Sequence, residues 1–596
     1  MSEFIGNLDS IRFLVEYAPG LEEELKGNPN IFFYPIDELY GIISIPSIIF
    51  FDEVRQMRYI KSIDLGAIYT LCELDPIYAA DVEFAKSGYL NLRGTGVLVG
   101  IVDTGIDYLN QEFMKEDGTT RIVRIWDQTI KSNNSDHFGG TIYTEQNINN
   151  ALMAKNRGED PYQIVPSKDE IGHGTAVASM IGARGYDENI KGVAPDCSFV
   201  VVKLQEAEDK FAGIINLKKG VPKYSDINVV LAMKYIRDVS RELVMPLVIC
   251  LAIGTNMGSH DGKSSVEKYI NLISNIAGNV VVTSTGNQGI SDTHAQGMIS
   301  SLSQDQDIEL NIAELQSSIL MDIYITKPQT VNLTITSPRG QVFSNINFNL
   351  ASGNTNSFGL QLKFIYENVN MYVRFFSPDL TTGDERILIW SNDIKSGIWK
   401  FTLSAKHSFL SRYDAWIVQR ELLEMGTRIL NSNQYTTLTV PGTTELIIVA
   451  AYYNQNENSI VPESGKGFTR NGLIKPTVAA PGINAIVAKP GGGQTTISGG
   501  SVSAAILSGI CALLLDWGIS ENNIEVLTAT GIQSYLVRGA IKRTGDAYPD
   551  REWGYGIVSL RGVFDSLINN RKKIDIVEFE ELYANKLFIR IPRLMG

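Results

Sequence analysis

The chain has 596 residues, 44% apolar and 20% charged, a globular composition with enough apolar mass for more than one core. Disordered, collagen-like and disulfide-scaffold classes are excluded. The net charge of −14 repels phosphate backbones and anionic lipid, so nucleic acid is not an expected partner.

In chain order, Ile11 to Tyr17 reads as a strand and Gly20 to Lys26 as an acidic helix. Ile31 to Ile36 and Tyr40 to Ile45 read as a strand pair, Phe51 to Arg58 as a helix and Ile60 to Cys72 as an extended run. That βαββαβ order predicts a ferredoxin-like first domain over residues 1–73. From Gly94 come short apolar runs between helical stretches: Val97 to Val102, Phe199 to Leu204, Leu247 to Ile253 and Val280 to Ser284. Continuous apolar strands of this kind predict an α/β fold, a parallel sheet with helices on both faces.

Between about residues 300 and 418 the helical pattern stops. Ile308 to Ile312, Ile319 to Ile325, Val331 to Thr336, Leu360 to Tyr366, Met371 to Phe376, Ile387 to Trp390, Ile398 to Leu403 and Tyr413 to Val418 are β-patterned. They predict an all-β, jelly-roll-like domain over 298–432. It is inserted between two parts of an α/β domain, 74–297 and 433–596.

The longest apolar helical run, Ser503 to Trp517, is shorter than the roughly 18 to 20 residues that span a bilayer, so no membrane span is expected. Cys72, Cys197, Cys250 and Cys511 lack C-x-x-C spacing and read as reduced, buried thiols. Arg571-Lys572-Lys573 reads as a solvated helix end. The start, Met1-Ser2-Glu3-Phe4, lacks a basic region and long apolar region, so the expectation is cytoplasmic synthesis without a signal peptide.

Three segments carry chemistry. Val99 to Val102 is an apolar strand ending in Asp103-Thr104-Gly105, which puts a carboxylate where parallel sheets place their sites. Alone, it could equally be a turn-capping aspartate or half of an aspartic protease site, the latter needing a second such carboxylate from a homodimer. Gly172-His173-Gly174-Thr175 flanks a histidine with glycines at the start of a small-apolar helix. His137, His260, His294 and His407 have no motif and read as passengers. Ser498-Gly499-Gly500-Ser501 opens an apolar helix with a serine that is either an N-cap or an exposed nucleophile.

Together, Asp103, His173 and Ser501 resemble the triad of the subtilisin-like serine proteases, in the family's chain order. The resemblance extends to Gly286-Asn287, matching the family's oxyanion asparagine, and to Gly192-Val193-Ala194-Pro195, Pro481-Gly482 and Trp553-Gly554-Tyr555-Gly556. Leu251, Ala252, Ile253 and Gly254, with Gly286, match the segments lining the family's first specificity pocket. A polar loop from Asp117 to Lys168 accounts for the wide spacing from Asp103 to His173. Gly500, Ser503, Ala505 and Ala176 depart from the usual Thr, Ala, Pro and His, and the missing proline is expected to loosen the first turn of the nucleophile helix and make activity modest. Asp187 and Glu188, in Arg184 to Ile190, occupy a stretch where some relatives bind calcium, but a solvated turn is expected, with no metal and no cofactor.

The whole chain is similar to the Csp-type subtilases of spore-forming clostridia. That resemblance implies a self-cleaved prodomain that stays bound as a partner, with a cut between Tyr69 and Asp75. It also implies a protein substrate, the zymogen of a spore-cortex hydrolase, and packaging in the spore. The alternative is a catalytically weak or silent germinant sensor or scaffold on the same fold. A glycan-binding role for the insert would use Trp390, Trp399 and Trp416.

Overall fold

The computed structural model describes residues 10–35, 39–46, 57–64, 76–86, 90–131, 139–207, 210–211, 215–216, 218–353, 359–524 and 526–568. The chain divides into two compact units, Met1–Glu73 and Leu74–Gly596. Most of the expected helix Phe51 to Arg58, the expected cut between Tyr69 and Asp75, Cys72, His137 and Arg571 to Lys573 lie outside the described residues.

In the first unit, Ser10–Tyr17, Phe32–Pro35, Tyr40–Pro46 and Ile60–Asp64 form a four-stranded antiparallel sheet. The first strand lies between the third and the fourth, and the second is the outer partner of the third. Helix Leu21–Leu25 buries Leu21 and Leu25 with Val15, Ile43 and Ile45.

The second unit is built on a nine-stranded sheet. Its parallel strands run, edge to edge, Val478–Pro481, Ile448–Asn454, Asn279–Ser284, Leu247–Leu251, Leu98–Asp103, Ser198–Lys203 and Ile122–Asp127. Among the described residues only Ser459–Ile460 and Thr141–Thr144 run antiparallel. Leu98–Asp103 and Leu247–Leu251 are buried at every position, as apolar strands covered on both faces must be. The chain lays its first strands to one side of Leu98–Asp103 and then crosses to the other, so Asp103 ends a strand at the topological switch point.

Helices His173–Gly182 and Gly500–Leu515 share one face and its core, while Asp226–Leu243 and Ser265–Ser274 cover the other. The segment expected as a polar loop before His173 instead supplies Ile122–Asp127, Thr141–Thr144 and helix Glu145–Asn156, closed by a Thr144/Asn147 capping box. The helix that carries Ser501 also exceeds its expected length. With its π-helical continuation Asp516–Ser520 it spans Gly500–Ser520, long and apolar enough to cross a bilayer, yet Val502 to Leu515 are all buried in the core.

The insert is two antiparallel sheets over one core. Six strands run in the order His294–Ile299, Ser411–Ile417, Ile319–Ile325, Glu385–Ser391, Val369–Phe376, Leu360–Phe364. Five run Val342–Ile346, Val331–Thr336, Gly397–Ala405, Gln306–Ile312, Arg428–Ile429. Alternating burial along Val331–Thr336 is what a half-covered antiparallel strand requires. His294–Ile299, Val342–Ile346 and Arg428–Ile429 have weak β patterns and were not expected. Trp390, Trp399 and Trp416 are 3%, 0% and 1% exposed, so the aromatics that raised a glycan-binding role are core residues.

Candidate active site

Asp103 ends its strand almost fully buried. Its Oδ1 accepts the Thr104 N–H at 2.7 Å, and Oδ1 and Oδ2 lie 2.8 and 2.9 Å from His173 Nδ1. Facing a carboxylate, Nδ1 carries the ring proton, and Nε2 is free to accept from the Ser501 hydroxyl 2.9 Å away. The Asp103 charge raises the His173 pKa above its ordinary value, against the opposing effect of burial. Such a chain can take a proton from Ser501 as the hydroxyl attacks an electrophile.

A second carboxylate, absent from the sequence expectations, holds this geometry. Asp169 Oδ1 accepts the Thr104 hydroxyl at 2.8 Å and the Gly172 N–H at 2.7 Å. Its Oδ2 accepts the Thr175 N–H at 2.8 Å and hydroxyl at 2.7 Å. Thr104 Oγ1 in turn accepts the Gly174 N–H at 2.9 Å, so the residues on both sides of His173 are tied to the Asp103 loop. Gly174 is required by space, since a Cβ there would stand 2.2 Å from Gly105 O.

Ser501 is the second residue of helix Gly500–Leu515. The Ser503 hydroxyl donates to Gly500 C=O at 2.8 Å, fastening the turn that the missing proline was expected to loosen. Asn287 stands beside it, its Oδ1 accepting the Gly500 N–H at 3.2 Å. With the oxygen taken, the amide NH2 is the end left to meet a substrate.

Leu251 is buried, Ala252 and Ile253 are half-buried and Gly254 is exposed. Thr439 lies against both Gly254 and Gly286: a Cβ on either would stand 2.4 Å from Thr439 Oγ1. The structure thus brings Gly254 and Gly286 together around Thr439, which no motif marked. A cavity of about 300 Å³ lined by Asp107, Glu112, Lys155, Asp187 and Gly491 to Gly493 includes none of Asp103, His173 and Ser501.

The Arg184 to Ile190 loop closes on a carboxylate. Buried Glu112 accepts the Gly185 and Tyr186 N–H groups through Oε2 at 2.7 and 3.2 Å, and the Asp187 N–H through Oε1 at 2.7 Å. Three of the loop's backbone donors are thus taken up by one buried carboxylate. Cys197, Cys250 and Cys511 are buried, unbridged thiols, with burial pushing Cys197 and Cys250 up to about 12.

A model of the subtilase family matches residues 94–306 and 426–556, the stretches on either side of most of the inserted strands. The chain belongs to the subtilase family. Its α/β sheet is the subtilase fold, and the family's chemistry is that of a serine endopeptidase. The solved structure of the CspB protease of Clostridium perfringens is similar at 31% identity and a TM-score of 0.72, over 83% of this subtilase and 98% of that chain. A PII-type proteinase of Lacticaseibacillus paracasei is 20% identical, and one of Lactococcus lactis subsp. cremoris 23% identical, each across 88% of this chain. This subtilase spans 28% of the length of either proteinase.

Proposed function

We propose that the chain is an active endopeptidase in which Ser501 is the nucleophile, His173 the general base and then acid, and Asp103 the group that orients and stabilises the imidazolium. The observation that carries this reading is the unbroken contact from Asp103 through His173 to Ser501, at 2.8 and 2.9 Å. The Asn287 amide and the Ser501 backbone N–H would hold the tetrahedral oxyanion. Leu251 to Gly254 and Gly286 would form the first substrate pocket, with Thr439 as its floor.

Residues 1–73 are read as a ferredoxin-like prodomain, supported by the order of its four strands, and the two-sheet insert as jelly-roll-like. The prodomain would be cut by the enzyme between Tyr69 and Asp75 and stay bound. Similarity to the CspB protease supports a germination-related protease; on the Csp-type resemblance the enzyme would be packaged in the spore and would cut a protein substrate, the zymogen of a cortex-lytic hydrolase. Fluorophosphonate labelling with N-terminal sequencing tests the core of this reading. The wild-type chain should label and begin within the 70–75 window; Ser501→Ala should do neither. An unlabelled, uncut wild type would favour the silent sensor instead.

A further inference from the structure

His260 was expected to be a passenger, yet it bridges two segments of the proposed substrate pocket. The ring is fully buried, with Nδ1 2.8 Å from Leu438 C=O and Nε2 2.9 Å from Asn256 C=O. Asn256 lies just beyond Gly254, and Leu438 immediately precedes Thr439. Whichever nitrogen carries the proton, the ring donates to one wall and fills the gap to the other. His260 is held at φ +50°, a left-handed conformation that histidine seldom adopts.

The insert holds this ring in place. Trp416, on the insert strand Ser411–Ile417, stacks on His260 at 4.1 Å between centroids and 8° between planes. His294 stacks on Trp416 in turn at 4.8 Å, with its Nε2 3.1 Å from Asp414 Oδ1 and its Nδ1 3.2 Å from Asn433 O. Trp416 Nε1 donates to Thr436 C=O at 3.4 Å, on the wall that carries Thr439. On the other wall, Asn256 Nδ2 donates to Thr293 Oγ1 at 2.9 Å and to Ile417 C=O at 3.3 Å, beside Trp416.

We propose that Trp416 is a positioning residue for substrate selection: through the His260 ring it fixes the separation of the 251–256 and 436–440 walls. The inserted sandwich thereby sets which side chain is accepted on the acyl side of the cut bond. Packed interiors transmit such constraints because their side chains cannot adjust freely. The inference rests on the pocket assignment made above, and the experiment separates the two.

The full-length enzyme is assayed on peptides that differ only at that acyl-side residue, alanine against leucine. Thr439→Gly, which empties the pocket floor, should raise the leucine-to-alanine ratio of kcat/KM roughly tenfold or more. Trp416→Leu and His260→Asn should each change the ratio by about fivefold, chiefly through KM, while Trp416→Phe, which keeps a flat ring, should stay within about twofold of wild type. His260→Asn carries the test if Trp416→Leu does not fold, since asparagine tolerates a left-handed backbone. If Thr439→Gly moves the ratio and neither Trp416→Leu nor His260→Asn does, the positioning role is overturned alone. If Thr439→Gly leaves it unmoved, the pocket assignment falls and takes the inference with it.

Discussion

His173 and Ser501 are 328 residues apart in the chain and 2.9 Å apart in space. Between them the chain completes most of the parallel sheet and a whole β-sandwich. The contact is made because His173 begins one helix and Ser501 lies in the first turn of another, packed against it on the same face of the sheet.

That contact is sensitive to pH in a stated direction. The general base must be unprotonated, and the Asp103 charge raises the His173 pKa above 6.5. The acid limb of kcat/KM should therefore have its midpoint above that value, with activity lost as pH falls through it. Asp103→Asn should move the limb to lower pH and reduce kcat sharply, because the ring loses its orienting acceptor. A pH profile of peptide hydrolysis checks both; a wild-type midpoint below 6.5 would contradict the assignment.

Asn287→Ala removes the donor proposed to meet charge that develops only in the transition state. We expect kcat to fall roughly 10²- to 10³-fold with KM little changed. Steady-state kinetics decides, because a rise in KM alone would make Asn287 a ground-state contact.

Asp169→Asn replaces an oxygen that accepts hydrogen bonds with an NH2 that faces donors. At least one of the Thr104, Gly172 and Thr175 donors is then unsatisfied, at a cost of about 1–3 kcal/mol of stability in a denaturant titration. The Asp169 charge also helps raise the His173 pKa, so the acid limb should move to lower pH, a displacement that a purely architectural residue would not produce.

Arg470 ties the catalytic part to the insert. Its Nε donates to Ser259 C=O at 2.8 Å, and its Nη2 pairs with Asp261 and with Asp384 of the insert, all nearly buried. Arg470→Met leaves buried Asp384 without its ion-pair partner, while Asp261 keeps Lys263, and should cost about 3–5 kcal/mol. Thermal melting and limited proteolysis should report a lower Tm and earlier cleavage at the insert. Deleting residues 298–432 should do more, since it also uncovers His260.

Much of this site can be read in the sequence where a function is concentrated in one short segment. Asp103 ends an unbroken apolar strand, and the glycines around His173 and Ser501 mark places where backbone or side chain comes close. Gly500 is the same kind of signal: a Cβ there would lie 2.6 Å from Ser284 Oγ, so the departure from threonine is matched by its neighbour. Asp169 could not be read. Within Lys168-Asp169-Glu170 it looks like a solvated turn, and its role exists only once Thr104 arrives from 65 residues away. His260, Glu112 and Thr439 were silent for the same reason, and the strands of 117–168 because they are short runs within a stretch made mostly of polar residues.

The insert leaves the catalytic part at His294–Ile299 and returns beside it on Ser411–Ile417, the two strands pairing antiparallel from His294↔Trp416 to Ile299↔Ser411. Once that pair has formed, Asn279–Ser284 reaches it by a short tether, while the return to Ile448–Asn454 runs through the further insert strand Arg428–Ile429. The entropy of closing the long connection is met by the sandwich's own folding, and even an open loop would cost only about 0.6 kcal/mol for each doubling of its length. The order of assembly follows. Asn287 precedes the sandwich in the chain and Ser501 follows it, so a nascent chain has no complete site until the insert has been made and closed, and its hydrolytic power arrives with its last third.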